Sequence, residues 1–501
     1  MTELEDAEQT QLLASIATWE RQIAAAKRRL NELRPIGKLP SELLCEVFMH
    51  RSADWRVGDR TWIEVSRVCY RWREAALNYP ALWGQIMPHT YKWTRELLLR
   101  SEQSALDVAT SDYRAADKKD IIVLLRQLHR LRSIDWSLYY EINAPDLPRV
   151  APFLRSVALC DREVRGHGPS ATPFDNIEAP LLTHLEIVCI PVSWTSRLFR
   201  PTLTHLKFCV YYEGPRPIDI SMLEVLGLLQ TMPQLQSLEL ADALPDSGTA
   251  GIGANVHVRF PQLCFLRVKE RASIIRYFLE HISFSKDIDI SIEFSNFQLD
   301  RENMEQSMRL LASLFASDAH SKDVMRPLRS LSHSRHAAKA WTRNQELDNL
   351  FSPYLDRTAA SRPFHHDRRA LAVRAPALMP DSCPTLFEMF CRSLPLAEVR
   401  SAYIDMEWMN NCPWQNIYES MPHICELGVA GRETDHTFLI ESLATASTTT
   451  DALRPLHCDL PVYMFPELQV LSLHRLYLLD DGPCLTNVCG SPQRRSAEAG
   501  L

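Results

Sequence analysis

One octapeptide pattern returns seven times along the chain: Pro, any residue, Leu or Ile, two residues, an aliphatic residue, one residue, then an apolar residue. It reads PFLRSVAL from Pro152, PLLTHLEI from Pro180, PTLTHLKF from Pro201, PQLQSLEL from Pro233, PQLCFLRV from Pro261, PHICELGV from Pro422 and PELQVLSL from Pro466. A unit repeated in this way forms a stack of similar strands, each covering the apolar face of its neighbour, and such stacks hold partners. The opening Leu positions of the first five copies lie 28, 21, 32 and 28 residues apart. Counted from that Leu, residues 0, 3 and 5 are apolar and point inward, while residues 2, 4 and 6 line the other face. That second face carries His184 and Glu186, His205 and Lys207, Glu239, then Phe265, Arg267 and Lys269. Its mixed charge fits a protein target better than a nucleic acid. A weaker unit precedes the series at Leu131, Ile134 and Trp136.

The 501-residue chain is 46% apolar and can bury a large core, and its net charge of −7 gives no basic excess for nucleic acid. Only 15 Gly are present, which argues against phosphate-cradling loops. The 13 Cys include no Cys-x-x-Cys pair, which fits reduced thiols in the cytoplasm or nucleus. The acidic start MTELEDAEQT is not a secretory signal, and no apolar run reaches the roughly 20 residues of a membrane span. Nucleophile-elbow, zinc-protease, Walker and dinucleotide patterns are missing, so the sequence assigns no catalytic, cofactor or metal residue and reads as a non-enzyme.

Before the repeats, residues 1–34 hold neither Gly nor Pro. Leu12, Ile16, Trp19, Ile23, Ala26, Leu30 and Leu33 follow spacings of 4, 3, 4, 3, 4, 3, a heptad seam that Gln9 extends by one step. Two readings remain open: an amphipathic helix lying on the next domain, or a short coiled coil forming a weak dimer through residues 9–33. Residues 36–87 then read as a compact helical unit. Pro40 opens a helix with Leu43, Leu44, Val47 and Phe48. A polar loop follows, and a second helix from Thr61 places Trp62, Val65, Val68, Cys69, Trp72 and Ala76 on one face. About fifty residues are too few to hide this much apolar surface, and the excess marks a partner site.

The order LP-x-ELL-x-EVF, then VS-x-VC-x-x-WR, then P-x-LW resembles an F-box, in the form preceded by a heptad helix and followed by degenerate leucine-rich repeats in mushroom-forming fungi. The resemblance implies docking onto the Skp-family adaptor of a Skp–cullin–F-box ubiquitin ligase, and through it a cullin. The implied adaptor contacts are Leu39, Pro40, Leu43, Leu44, Val47 and Phe48, completed by Val65, Val68, Cys69, Trp72, Leu82 and Trp83. The alternative is an interaction scaffold on the same repeats without ligase coupling. Arg162, Ile190, Tyr211, Ala243 and Arg271 stand where leucine-rich repeats usually carry Asn or Cys.

The expected architecture is therefore α/β: a long helix (1–34), a helical box (36–87), degenerate leucine-rich repeats forming an irregular solenoid (90–318), a flexible insertion (319–380), further repeats (381–478) and a disordered tail (479–501). Residues 273–284 and 302–317 read as helices. From Lys322 to Arg374 the insertion carries eleven Lys or Arg against five Asp or Glu, which reads as a solvated stretch. PELQVLSLHRL lacks a following unit to cover it, so the end reads as a truncation or altered frame.

Overall fold

The computed structural model describes residues 2–52, 61–88, 91–109, 118–138, 148–161, 177–190, 192–210, 220–245, 256–284, 288–295, 300–315, 327–334, 337–342, 370–374, 382–405, 414–430 and 465–474. They fall into two compact units, Met1–Leu198 and Phe199–Leu501. Among the described residues no helix is long and apolar enough to cross a membrane.

The first unit opens with α1 (Thr2–Leu33), built largely from strong helix formers and stopped by Pro35. A 3-10 turn (Pro35–Lys38) folds back against the helix end. Gly37 is required there, because a Cβ would lie 2.0 Å from the Asn31 carbonyl oxygen. The box follows as α2 (Ser41–Arg51), a 3-10 turn (Thr61–Glu64), α3 (Val65–Val68), α4 (Tyr70–Leu77) and a last 3-10 turn (Pro80–Gly84). Then come β1 (Gln85–Ile86), α5 (Tyr91–Arg100), β2 (Leu106–Ala109), α6 (Lys118–Leu125), β3 (Leu131–Leu138), β4 (Ser156–Asp161) and β5 (His184–Val188). The five strands pair in chain order, all parallel. Ile86, Val108, Ile134, Val157 and Leu185 lie in one register row, and every one is buried.

In the second unit the elements are β6 (His205–Cys209), α7 (Met222–Gln230), β7 (Ser237–Ala241), β8 (Val258–Phe260), β9 (Phe265–Glu270), α8 (Ala272–Glu280), β10 (Ile282–Phe284) and β11 (Asp289–Phe294). They continue with α9 (Arg301–Phe315), β12 (Ser330–Ser334), β13 (Ala337–Trp341), β14 (Ala370–Arg374), α10 (Ser382–Ser393), β15 (Ser401–Asp405), α11 (Trp414–Ser420), β16 (Glu426–Ala430) and β17 (Val470–His474). Strand order runs β6-β7-β9-β11-β14-β13-β12-β15-β16-β17, and only β13 is antiparallel to its neighbours. β8 and β10 form a separate parallel pair.

The 0, 3, 5 positions are buried in β6, β7, β9 and β16, whereas Leu468, Leu471 and Leu473 of β17 are half-buried; β9 alternates half-buried and buried, with Leu263, Leu266 and Val268 closed off from solvent. Among the described residues backbone carbonyls tie successive strand units together. The Thr204 carbonyl accepts from the N–H groups of Gln236 and Ser237 at 2.7 and 3.1 Å, and Gln236 accepts from Cys264 and Phe265 at 2.8 and 3.1 Å. Arg400 and Cys425 repeat the arrangement toward β16 and β17. The carbonyl has two lone pairs, so one group can satisfy both donors of the next unit.

Three expectations change. Residues 319–380, read as a flexible insertion, supply β12, β13 and β14 to the sheet. No Pro-headed octapeptide marks these strands, and in β13 Ala338 and Ala340 take the inward places. Leu328, Leu331 and His333 nevertheless keep the 0, 3, 5 spacing, with His in the last inward place. The helix expected over 273–284 ends at Glu280, and its last residues pair as β10. The third change is in the box, whose second helix is broken at Cys69. The tail at 479–501, the basic residues at 343–369 and most of the loop after Arg51 lie outside the described residues.

His333 is fully closed off, its ring 4.4 Å from that of Phe387. Burial pushes its pKa down to about 4, against a smaller opposing hydrogen bond to the Asp405 backbone. Between about 4 and the ordinary 6.5 the unfolded chain takes a proton that the folded chain refuses, so stability rises with pH across that window. Replacing His333 with Leu should remove this dependence. The gap in melting temperature between pH 7 and pH 4.5 should shrink, and an unchanged gap would exclude His333 as its source.

Candidate functional site

The box is organised around one phase relation in α2. Leu44 and Phe48, four residues apart, point into the box and are 0% exposed. Pro40, Leu43 and Val47, at spacings of three and four, share the neighbouring face, on the outer edge of the same stripe; Leu43 is 46% and Val47 44% exposed. The interior behind them is closed without help. Phe48 meets Trp72 at 5.1 Å between ring centroids, and Trp62 meets Trp83 at 5.7 Å. The indole N–H of Trp83 donates to the Ala76 carbonyl at 2.7 Å, and the Arg100 guanidinium from α5 sits 4.5 Å over the Trp83 ring. Burial, with a smaller contribution from Glu42, pushes the Cys45 thiol up, so it stays a neutral packing group.

The second expected helix is not continuous, and this is the third change. Cys69 adopts extended backbone, φ −157° and ψ 171°, between α3 and α4. That single residue resets the helical phase. Trp62 and Val65 before it and Ala76 after it face inward, while Val68 swings out to 59% exposure and Cys69 and Trp72 are half-buried. Val68, Cys69, Tyr70 and Trp72 line a groove with Ile36 and the end of α1. Arg71 spans its floor by donating to the Gly37 and Leu39 carbonyls, and Arg28 stacks 4.1 Å over the Tyr70 ring.

The twelve residues expected at the adaptor surface therefore divide. Pro40, Leu43, Val47 and Val68 are exposed, and Leu39, Cys69 and Trp72 half-buried. Leu44, Phe48, Val65, Leu82 and Trp83 are core residues and leave the contact surface: their side chains are consumed in holding the box together. Ile36 and Tyr70, 44% and 53% exposed, stand beside Val68 in the groove. Their apolar exposure is unrelated to helical periodicity, so only the fold reveals it.

The eight residues expected on the target face all sit on the side of their strands opposite the aliphatic rows. His184 and Glu186 lie on β5 of the first unit, in register with Ser156 and Ala158. In the second unit His205, Lys207, Glu239, Phe265, Arg267 and Lys269 are all half-buried. Glu239 stands opposite Arg267 across the β7–β9 pair, Arg267 approaches Glu239 at 3.9 Å and Glu293 at 3.5 Å, and Lys269 meets Glu293 at 2.9 Å. Glu293 was missed because β11 has no Pro-headed octapeptide. This ladder neutralises itself, and its partly exposed pairs each contribute little to stability.

Residues 36–88 match the F-box-like family. A search among curated proteins finds no match to the chain. The chain thus carries an F-box-like domain, the module that binds Skp-type adaptors in ubiquitin ligases of the Skp–cullin–F-box kind.

Proposed function

We propose that this chain is a non-catalytic substrate-recognition subunit of a Skp–cullin–F-box ubiquitin ligase acting in the cytoplasm or nucleus. The box grips the Skp-family adaptor and, through it, the cullin. The strand units act as a degenerate leucine-rich-repeat solenoid whose polar face holds a protein target, and α1 adds a weak contact with a second copy. The contribution to ubiquitin transfer is proximity, which raises the local concentration of target at a transferase carried elsewhere. The observation that carries this reading is the division of α2: Leu43 and Val47 stay wet over an interior that Leu44 and Phe48 already close. A small module does not keep such residues exposed for its own stability, and central apolar anchors dominate interface energetics.

The direct test mixes the purified full chain with a purified Skp-family adaptor and follows both by size-exclusion chromatography with light scattering. A one-to-one complex at micromolar concentration is expected. Separate elution of two folded proteins would remove the ligase assignment.

A further inference from the structure

We infer that α1 binds α1 of a second copy of this chain in antiparallel orientation. The inference rests on the self-association named above and is independent of adaptor docking. The seam of α1 is uncovered from end to end: Leu12, Ile16, Trp19, Ile23, Leu30 and Leu33 are all about half exposed or more, Trp19 at 59%. The box does not lie on that seam. It meets α1 through Arg28, Asn31 and Glu32, which line the groove with Tyr70 and occupy the heptad positions opposite the apolar stripe. The reading of α1 as a helix laid apolar side down on the next domain is thereby excluded.

Charge selects the occupant and its direction. Residues 2–20 carry five acidic side chains and no basic one, whereas residues 21–34 carry five basic and one acidic. Two copies side by side in parallel set acid against acid and base against base. Reversing one copy separates the two acidic segments and brings Glu20 of each copy to the basic segment of the other, so the helix is complementary to itself only when antiparallel.

The flanking residues refine the register. With Ile16 over Leu33, Trp19 over Leu30 and Ile23 over Ala26, Glu20 of each copy falls beside Lys27 of the other, twice per dimer. In a parallel pair Glu20 would face Ser15, Lys27 would face Gln22, and Arg29 would oppose Arg34. Each copy then covers on the order of 600 Å² of mostly apolar surface, somewhat below the roughly 800 Å² per partner of a standard stable interface. The pairing is accordingly concentration-dependent.

Glu20 and Lys27 are exposed and have no charged residue three or four positions away, so changing them leaves helix formation within one chain alone. Sedimentation velocity of the full chain at low salt should show a monomer–dimer equilibrium. Glu20→Lys and Lys27→Glu should each weaken it about tenfold, and the double exchange should restore it, with helicity unchanged by circular dichroism. A chain that stays monomeric at all concentrations overturns the self-association itself. A dimer in which the double exchange behaves no better than the single changes overturns the antiparallel arrangement while leaving a dimer. Neither result touches adaptor binding.

Discussion

Leu43→Asp combined with Val47→Asp should abolish binding to a Skp-family adaptor while leaving the box folded. Both side chains stand on the outer face of α2, and neither contributes to the closed interior. Setting two carboxylates into a desolvated apolar contact removes two anchors and adds two uncompensated charges. A loss of at least 100-fold in affinity is expected, about 3 kcal/mol or more. The melting temperature should move little, because exposed helix positions tolerate Asp at a cost of roughly half a kcal/mol. Calorimetric titration of adaptor into the folded variant is the measurement. Binding within a few-fold of the parent protein would discard this face as the docking surface. Phe48→Asp would not serve the purpose, since a charge at a 0%-exposed position unfolds the box whatever that position touches.

The distinction between Leu43 and Phe48 marks how far the residues alone could be read. Both belong to the apolar stripe of one helix and both fit the F-box pattern, so the string identifies the module and the stripe together. Which edge of the stripe faces the interior depends on Trp72, and Trp72 arrives there only because Cys69 breaks the following helix. A helical-wheel count cannot see a phase reset at one extended residue. The repeats behaved similarly. Leu, Ile and Val at 0, 3 and 5 announced their strands, and the inward alternation followed from strand geometry. At β12 a buried His stands in for the last apolar residue, and at β13 the residues are Ala, Ala, Lys, Ala and Trp. There the sheet is held by register with β14 and β15, a non-local cause that no window of sequence contains. The charge ladder shows the same limit, because Glu293 is the partner of Arg267 and Lys269 only through the β9–β11 pairing.

Trp83→Ala should destroy the box from within, and comparison with the surface variant separates architecture from contact. Trp83 is fully enclosed, packs on Trp62, carries Arg100 over its ring and donates its N–H to the Ala76 carbonyl. Truncation removes the largest buried side chain of the module and leaves a cavity, at a cost of about 3–5 kcal/mol. Single domains of this size have only about 5 kcal/mol or so to lose, so the first thermal transition should drop or vanish, with loss of near-ultraviolet ellipticity. Trp83→Phe keeps most of the ring and gives up the hydrogen bond. The Ala76 carbonyl still accepts from the Tyr79 N–H at 3.3 Å, so that change should cost about 1 kcal/mol plus a small packing loss, and adaptor binding should survive. If Trp83→Ala left the first transition in place yet removed adaptor binding, Trp83 would be acting at the contact, and the division of the box into an interior and an outer face would have to be redrawn around it.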